Sequence, residues 1–371
     1  MNKQYNNKKW TTWWSRSQRG LGLITQKCPT HHRIVLKTIP NSQKLRLKFA
    51  SYYDTQNIVI ENIYCFDLGK KYQITCCGQT FYELCPNEDI ITDEIEVNSQ
   101  ELIIEYDIIT KSGYTCVSGF EYMDYDPFHQ APNQIYALQS IELYSDELKG
   151  CLCFFGDSIV EQGNYTRILQ KELRERGYSL INLGLSGNRL LKQIQYVNLD
   201  ETYNKDILNI VHTNQVYKDI SLDKQCFGIS GLQRYSREVL SCHNIKCIVI
   251  AIGVNDIYQP GTFCAHQDEL PTLKDMQEGY KQLQNNQNIP MLWCGITPFI
   301  GNNHHTLIKE QRRLDNNHWM KKVFDHYIEF DHLFINENKV LKSGLFQDDC
   351  LHPTKDGGNL MAKEMMKYLY I

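Results

Sequence analysis

The sequence has 371 residues, and because typical domains hold roughly 100–200 residues, two domains are expected. Hydrophobic residues make up 42% and charged residues 22%, a globular composition that excludes a largely disordered chain. The net charge of -4 argues against nucleic acid as the main partner, and no apolar run approaches the ~18 residues of a membrane span.

The first part of the sequence, from about residue 33 to 120, has the pattern of short β-strands. Leu45, Leu47 and Phe49 alternate with charged residues, which is typical of a strand with one buried face. Turn residues separate the apolar segments, and no long helical pattern interrupts them. The sequence therefore predicts a β-sandwich domain over 1–146. The segments expected to form its strands are 45–49, 58–60, 63–66, 95–97 and 102–108.

The second part of the sequence, from about residue 150, alternates strands with helices, which predicts an α/β domain with a parallel sheet over 147–371. Ligands bind such sheets beyond the carboxyl ends of the strands. The segment 193–230 is too long for an ordinary connection, and is either a lid or binding insertion or a disordered excursion. Continuous apolar runs predict strands at 151–155, 179–183, 247–252, 291–296 and 327–330. Helical periodicity predicts helices at 164–176, 270–287, 308–326 and 355–369.

A candidate nucleophile and base occur at the positions where this sheet would expose chemistry. Ser158 follows the first predicted strand directly, and a serine at a strand-to-helix turn lies at the rim of the sheet. By itself, the tripeptide Gly156-Asp157-Ser158 is explained more simply as a tight turn with a serine N-cap. Asp349 and His352 lie three residues apart, so the carboxylate can orient the imidazole as a general base for the serine.

Candidate oxyanion donors follow the next two strands. Gly187 lies in a glycine-containing block that lets the backbone approach a ligand, and the side-chain amide of Asn255 can donate to an oxyanion. Each also has a structural explanation, a turn for Gly187 and a helix cap for Asn255. The conjunction of nucleophile, base, orienting carboxylate and donors nevertheless predicts nucleophilic catalysis by Ser158, which needs no metal or organic cofactor.

Four motifs of the second part together resemble those of the SGNH/GDSL hydrolase family. They are Gly156-Asp157-Ser158, the block at Gly187, Gly253-x-Asn255-Asp256 and Asp349-x-x-His352. The resemblance implies a flavodoxin-like, three-layer α/β/α fold in which Ser158 is the nucleophile, His352 the base and Asp349 its orienting group. It also implies an oxyanion hole of the Ser158 and Gly187 N–H groups and the Asn255 amide. The supporting residues would be Asp157, Asn188 and Gly253. Val160 stands where the family usually has threonine.

A narrower branch of that family, lysophospholipase-like or carbohydrate-esterase-like, carries an N-terminal β-sandwich. The phrase Gly187-Asn188-Arg189-Leu190-Leu191 and the later Gly231-x-x-Arg234-Tyr235-Ser236-Arg237 resemble this branch. The resemblance implies a jelly-roll-like N-terminal domain and a small-molecule or oligosaccharide ester as substrate. O-deacetylation of a sugar is the first expectation, and a lysophospholipase or short-chain lipid esterase is the alternative. A catalytically silent glycan-binding module is the alternative from another class.

The 14 cysteines are expected to be reduced thiols, since several lie in apolar strands and a chain of this size needs no disulfides. The spacing of Cys76, Cys77 and Cys85, and of Cys264 and His266, does not match zinc sites. The N-terminus shows no signal peptide, so a cytoplasmic protein is expected. The 23 tyrosines are consistent with a sugar-facing surface or with ordinary packing. The sequence leaves the oligomeric state open.

Overall fold

The computed structural model describes residues 9–20, 31–37, 39–109, 115–118, 124–125, 134–195, 224–284 and 289–369. Residues 196–223 of the segment discussed above as a lid or excursion lie outside these ranges, and both interpretations of that segment stay open. Within the described ranges, no helix is both long and apolar enough to cross a membrane.

Antiparallel strands make up the N-terminal region. The strands are β1 (Lys9–Ser15), β2 (Gln18–Gly20), β3 (His31–Leu36), β4 (Lys44–Ala50), β5 (Ile58–Asp67), β6 (Lys70–Gln73), β7 (Phe81–Leu84), β8 (Asp89–Ile91), β9 (Ile95–Glu96), β10 (Leu102–Ile109), β11 (Thr115–Ser118), β12 (Asp124–Tyr125), β13 (Gln134–Tyr136) and β14 (Leu138–Ser145). One sheet has the order β1-β14-β4-β8, with β9 also paired to β4. Another has the order β12-β3-β10-β5-β6, with β7 also paired to β5, and a small sheet joins β13, β11 and β2.

The two larger sheets pack face to face. The alternating residues Leu45, Leu47 and Phe49 of β4 are completely buried, as is Tyr106 of β10. The rings of Phe49 and Tyr106 meet edge to face with centroids 5.0 Å apart. The predicted β-sandwich is therefore confirmed.

The described N-terminal strands outnumber the five predicted segments, and two of the differences have a clear physical cause. The runs 58–60 and 63–66 form one strand, β5, because the polar break at Asn62 is a bulge with a φ of 52°. The central strand β14 was not predicted, because its polar residues interrupt the hydrophobic pattern. One of these, Glu142, is buried through its ion pair with Arg46, whose Nε lies 2.6 Å from Glu142 Oε2.

The C-terminal region is a five-stranded parallel sheet with the order β16-β15-β17-β18-β19. The strand Gly150–Gly156, which comes first in the chain, is buried along its whole length. Such burial requires covering layers on both faces of the sheet. The predicted α/β fold is confirmed, and each predicted strand and helix is found at slightly different bounds. The strands are β15 (Gly150–Gly156), β16 (Tyr178–Gly184), β17 (Ile245–Ala251), β18 (Met291–Cys294) and β19 (Tyr327–Ile328).

The helices that follow these strands include four short ones for which the periodicity gave no signal: Ser158–Glu161, Gly231–Glu238, Val254–Tyr258 and Asp331–Phe334. A helix of one or two turns is too short to show a 3.6-residue period. The helices are α1 (Ser158–Glu161), α2 (Thr166–Glu175), α3 (Gly231–Glu238), α4 (Val254–Tyr258), α5 (Leu273–Leu283), α6 (Leu307–Val323), α7 (Asp331–Phe334) and α8 (Lys355–Met366).

The N-terminal region lies against the edge strand of the parallel sheet. Ser179 Oγ in β16 donates to the Thr12 carbonyl in β1 at 2.7 Å, and Arg16 forms an isolated parallel bridge with Asn182. One hydrophobic core runs through both regions. The division expected at 146/147 falls in the connection between β14 and β15, and stays a prediction.

Replacing Phe49 by alanine should lower the free energy of unfolding by about 3–5 kcal/mol, because it leaves a cavity between the packed sheets. Phe81→Ala is the matched control, since that ring is 56% exposed and its loss should change stability by no more than about 0.5 kcal/mol. Urea unfolding of both variants measures the difference. Equal effects would contradict the sandwich packing described here.

Candidate active site

Ser158 lies at the turn between β15 and α1, where the first strand of the parallel sheet ends. Asp157 accepts a hydrogen bond from the Ile159 N–H at 3.1 Å, so it is the N-cap of α1. Ser158 is the first residue of the helix, and the simpler explanation of the motif as a serine N-cap is wrong. Val160 packs against the α-carbon of Gly156. A Cβ on residue 156 would lie only 2.1 Å from Val160 Cγ2, so only glycine fits there.

Ser158, His352 and Asp349 form a continuous hydrogen-bonded chain. His352 Nε2 lies 2.7 Å from Ser158 Oγ, and His352 Nδ1 lies 2.5 Å from Asp349 Oδ2. The other carboxylate oxygen of Asp349 accepts from the backbone N–H groups of Leu351 and His352 at 2.9 and 3.0 Å. Burial opposes ionisation of Asp349, but the hydrogen bonds from His352 and these N–H groups outweigh it and hold the pKa of the carboxyl below its usual value.

The loop that carries His352 is held from both sides. The Asp349 carbonyl accepts from Asn302 Nδ2 at 2.6 Å, and the Pro353 carbonyl accepts from Asn164 Nδ2 at 2.8 Å. Within the loop, the Gln347 N–H donates to the His352 carbonyl at 2.8 Å. The imidazole is therefore fixed in place by the backbone on either side of it.

Asn255 lies inside α4, whose N-cap is Gly253, so the alternative of Asn255 as a helix cap is wrong. Its Nδ2 donates to the Asn188 carbonyl at 3.1 Å. Gly253 has a φ of 124°, and a Cβ there would lie 2.2 Å from the Tyr280 hydroxyl. Glycine is thus required for α4 to begin where it does, close to the end of β17.

The block around Gly187 is bound to α4 through Asp256. This buried carboxylate accepts from the N–H groups of Leu190 and Leu191 at 2.7 and 2.9 Å. Burial raises the pKa of Asp256 to about 6 despite these bonds. Because Asn255 and Asp256 are adjacent on α4, the donor amide and the glycine block are held in one unit.

Gly187 itself has a φ of 73°, and a Cβ would lie 2.2 Å from Phe227 Cδ1. Its carbonyl accepts from Gln259 Nε2 at 2.8 Å. Arg189 in turn donates from Nε to Gln259 Oε1 at 2.6 Å. These contacts fix the orientation of the peptide group that follows Gly187.

Asn188 connects the glycine block to α3 and to the segment before it. Its Nδ2 donates to the carbonyls of Phe227 and Ile229 at 2.8 and 2.7 Å, and its Oδ1 accepts from Arg234 Nε at 2.8 Å. The candidate oxyanion residues thus follow the ends of β15, β16 and β17, and His352 meets them there through its bond to Ser158.

Three supporting residues were not predicted from the sequence: Glu161, Arg234 and Gln259. Arg234 stood in a recognised phrase, but its role was not inferred, because residue type alone does not distinguish a buried arginine from an exposed one. Glu161 and Gln259 gave no signal beyond their positions one helical turn after Ser158 and Asn255.

Among the residues that the structure describes, no three or more His, Cys, Asp or Glu side chains form a group that could hold a metal ion. Cys76, Cys77, Cys85 and Cys264 are free thiols.

Residues 154–360 match the model of the GDSL-like lipase/acylhydrolase family, and a search among curated proteins finds no match. A GDSL-like lipase from Bacteroides thetaiotaomicron is 17% identical over 59% of this chain and 87% of its own, with a TM-score of 0.37.

Two esterase structures are also similar to this chain at low identity. A family two carbohydrate esterase from Clostridium thermocellum, in complex with cellohexaose, is 12% identical over 95% of this chain and 97% of its own, with a TM-score of 0.35. An acetyl xylan esterase from Geobacillus stearothermophilus is 14% identical over 59% of this chain and 94% of its own, with a TM-score of 0.39.

The pH dependence of stability should reveal the buried Asp157 carboxyl, whose pKa burial raises to about 7. Between about pH 4 and pH 7 the folded state then holds more protons than the unfolded state, so this group makes stability fall as the pH rises. An asparagine keeps the N-cap but cannot ionise. We expect Asp157→Asn to gain stability relative to the parent protein across this range, by up to about 4 kcal/mol.

Urea unfolding of the two proteins at several pH values between 4 and 8 measures this gain. A difference that stays constant over the range would show that Asp157 does not titrate in this window.

Proposed function

Because this chain belongs to the GDSL-like lipase/acylhydrolase family, we propose that it is a serine esterase that works through an acyl-enzyme on Ser158. The observation that carries the proposal is the hydrogen-bonded chain from Ser158 through His352 to Asp349, with contacts of 2.7 and 2.5 Å. This arrangement can remove the serine proton and stabilise the imidazolium that results.

The reaction begins when Ser158 Oγ attacks the ester carbonyl carbon and His352 Nε2 takes the serine proton. The charge that develops on the carbonyl oxygen is stabilised by the N–H groups of Ser158 and Gly187 and by the Asn255 amide. His352 then gives its proton to the leaving alcohol. Water attacks the acyl-enzyme with His352 again as the base, which releases the acid and restores Ser158.

The geometry of Asn255 supports its place in this oxyanion hole. A side-chain amide carries two N–H donors, and one of them orients the group through its bond to the Asn188 carbonyl. The other remains to donate to the oxyanion. Such preorganised donors stabilise the transition state because they need not rotate during the reaction.

For the substrate we propose an O-acetylated sugar or oligosaccharide. The support from the structure is Phe227, whose ring packs against the α-carbon of Gly187 and fills the space beside this oxyanion donor. A small acyl group fits such a site better than a long chain. The ring of Phe263 lies next to it, with centroids 6.3 Å apart, and adds to this aromatic wall.

A lipid ester is the second candidate, favoured by two apolar side chains in solvent. Leu307 and Ile308 are 85% and 68% exposed at the start of α6, shortly after Asn302, which contacts the Asp349 carbonyl. An exposed apolar pair near the His352 loop could contact an acyl chain or a lipid surface. Acyl-chain preference separates the two candidates.

Ser158→Ala should lower the rate of hydrolysis of nitrophenyl acetate by about 10⁴-fold or more, because no nucleophile remains. Ser236→Ala is the matched control, since Ser236 is an exposed serine on α3. Activity and circular dichroism of both variants are the measurements. An active Ser158→Ala protein would overturn the proposed function. Failure of the parent protein to react with a fluorophosphonate probe would favour a glycan-binding module without catalysis.

Phe227→Ala should raise the ratio of octanoyl to acetyl ester hydrolysis, measured as kcat/KM, by about tenfold, because it opens space for a longer acyl chain. The ratio cancels any loss of oxyanion stabilisation that both esters share. Phe263→Ala is the control and should change the ratio less. A parent protein that already prefers the octanoyl ester would contradict the deacetylase proposal and support the lipid esterase.

A further inference from the structure

One ion pair connects the N-terminal region to the middle of the candidate active site. Arg19 in β2 pairs with Glu161 through Nη2 and Oε1. The other oxygen of Glu161 accepts from the backbone N–H of Ser186 at 2.6 Å, and also from the Ser186 hydroxyl. Glu161 ends the helix that begins with Ser158, and Ser186 directly precedes Gly187.

The ion pair between Arg19 and Glu161 is largely shielded from solvent. Glu161 is 6% exposed, and the Arg19 side chain is 16% exposed. A carboxylate at such a depth remains ionised only if a cation and hydrogen-bond donors compensate it. An ionised acceptor forms a bond roughly twice as strong as a neutral one, so Arg19 strengthens the hold of Glu161 on the peptide N–H of Ser186.

Two further side chains of the N-terminal region, Ser17 and Tyr53, form hydrogen bonds with residues that hold Asn188 in the same loop. Ser17 Oγ accepts from Arg234 Nη1 at 2.8 Å, and Arg234 holds the Asn188 side chain. The Tyr53 hydroxyl accepts from the Ile229 N–H at 3.1 Å, and the Ile229 carbonyl accepts from Asn188 Nδ2. The N-terminal region therefore contacts the loop 186–188 through three separate routes.

We propose that Arg19 is a positioning residue for the hydrolysis: through Glu161 and Ser186 it fixes the direction in which the Gly187 N–H points at the oxyanion. The N-terminal β-region is then a working part of the catalytic centre. This inference rests on the proposed function, because it assigns Arg19 a role in the oxyanion hole of that reaction. The role assigned to Arg19 is to position this loop.

The test compares Arg19→Gln with Arg19→Lys in the full chain, using nitrophenyl acetate. A misdirected Gly187 N–H weakens the transition state more than the ground state, so Arg19→Gln should lower kcat about 10- to 100-fold and leave KM within about twofold. Arg19→Lys keeps the positive charge and should restore most of kcat. The affinity for a boronic acid, whose tetrahedral adduct places an oxygen in the oxyanion hole, should fall by the same factor as kcat.

Arg46→Gln is the matched control for stability. Arg46 also pairs with a buried glutamate, Glu142, and the two side chains are 20% and 1% exposed. This variant should lose stability to a similar extent with kcat unchanged. If Arg19→Gln and Arg46→Gln both destabilise the protein and both retain kcat, Arg19 only joins the two regions and the inference is wrong.

A second comparison keeps the inference falsifiable if Arg19→Gln alone folds poorly, because it uses two proteins that lack the buried Glu161 carboxylate. Glu161→Gln removes this charge, so adding Arg19→Gln to it should cause no further loss of kcat. A further loss of kcat in the double variant would contradict the route through Glu161. An inactive Ser158→Ala protein combined with full kcat in Arg19→Gln would refute only this inference, whereas an active Ser158→Ala protein would refute the proposed function itself.

Discussion

The buried guanidinium of Arg234 is the interaction on which the arrangement of the site depends. It is fully buried and donates to the carbonyl of Gly156 at 2.5 Å, to that of Leu183 at 3.0 Å and to Asn188 Oδ1 at 2.8 Å. Glu238 balances its charge at 2.7 Å. One side chain thus joins the ends of β15 and β16 to the glycine block, and its loss would leave several buried acceptors unpaired.

In the loop 185–191, side chains supply the hydrogen-bond partners that backbone groups find within a helix or a sheet. This loop belongs to no helix or strand, yet its backbone groups need partners, because an unpaired buried peptide group is costly. Glu161, Gln259 and Asp256 supply those partners from α1, the end of α4 and α4 itself. A loop anchored in this way can present N–H donors without thermal or solvent reorganisation, which is the physical requirement for an oxyanion hole.

The sequence predicted what depends on local pattern. The strands of the parallel sheet are continuous apolar runs, and Ser158, Gly187 and Asn255 could be placed because chemistry in such folds follows the strands. Strand β14 was missed because a distant arginine compensates its buried Glu142. The role of Arg234 was missed for the same kind of reason, since its partner Ser17 is 217 residues away in the sequence. Pairing over such distances is decided by tertiary packing, which single-sequence periodicity does not contain.

The edge of the parallel sheet explains why the two regions share one core. An open edge strand exposes unpaired backbone groups, and β16 is the edge strand beside β15, the strand that leads to Ser158. The backbone of Arg16 bridges to Asn182 and so covers β16 at that point. Nearby, the N–H of His243, just before β17, donates a hydrogen bond to Thr12 Oγ1 at 2.8 Å. Ser17 and Arg19 directly follow the segment 12–16 that makes these edge contacts. The contacts that cover the sheet edge therefore also place Ser17 beside Arg234 and Arg19 beside Glu161.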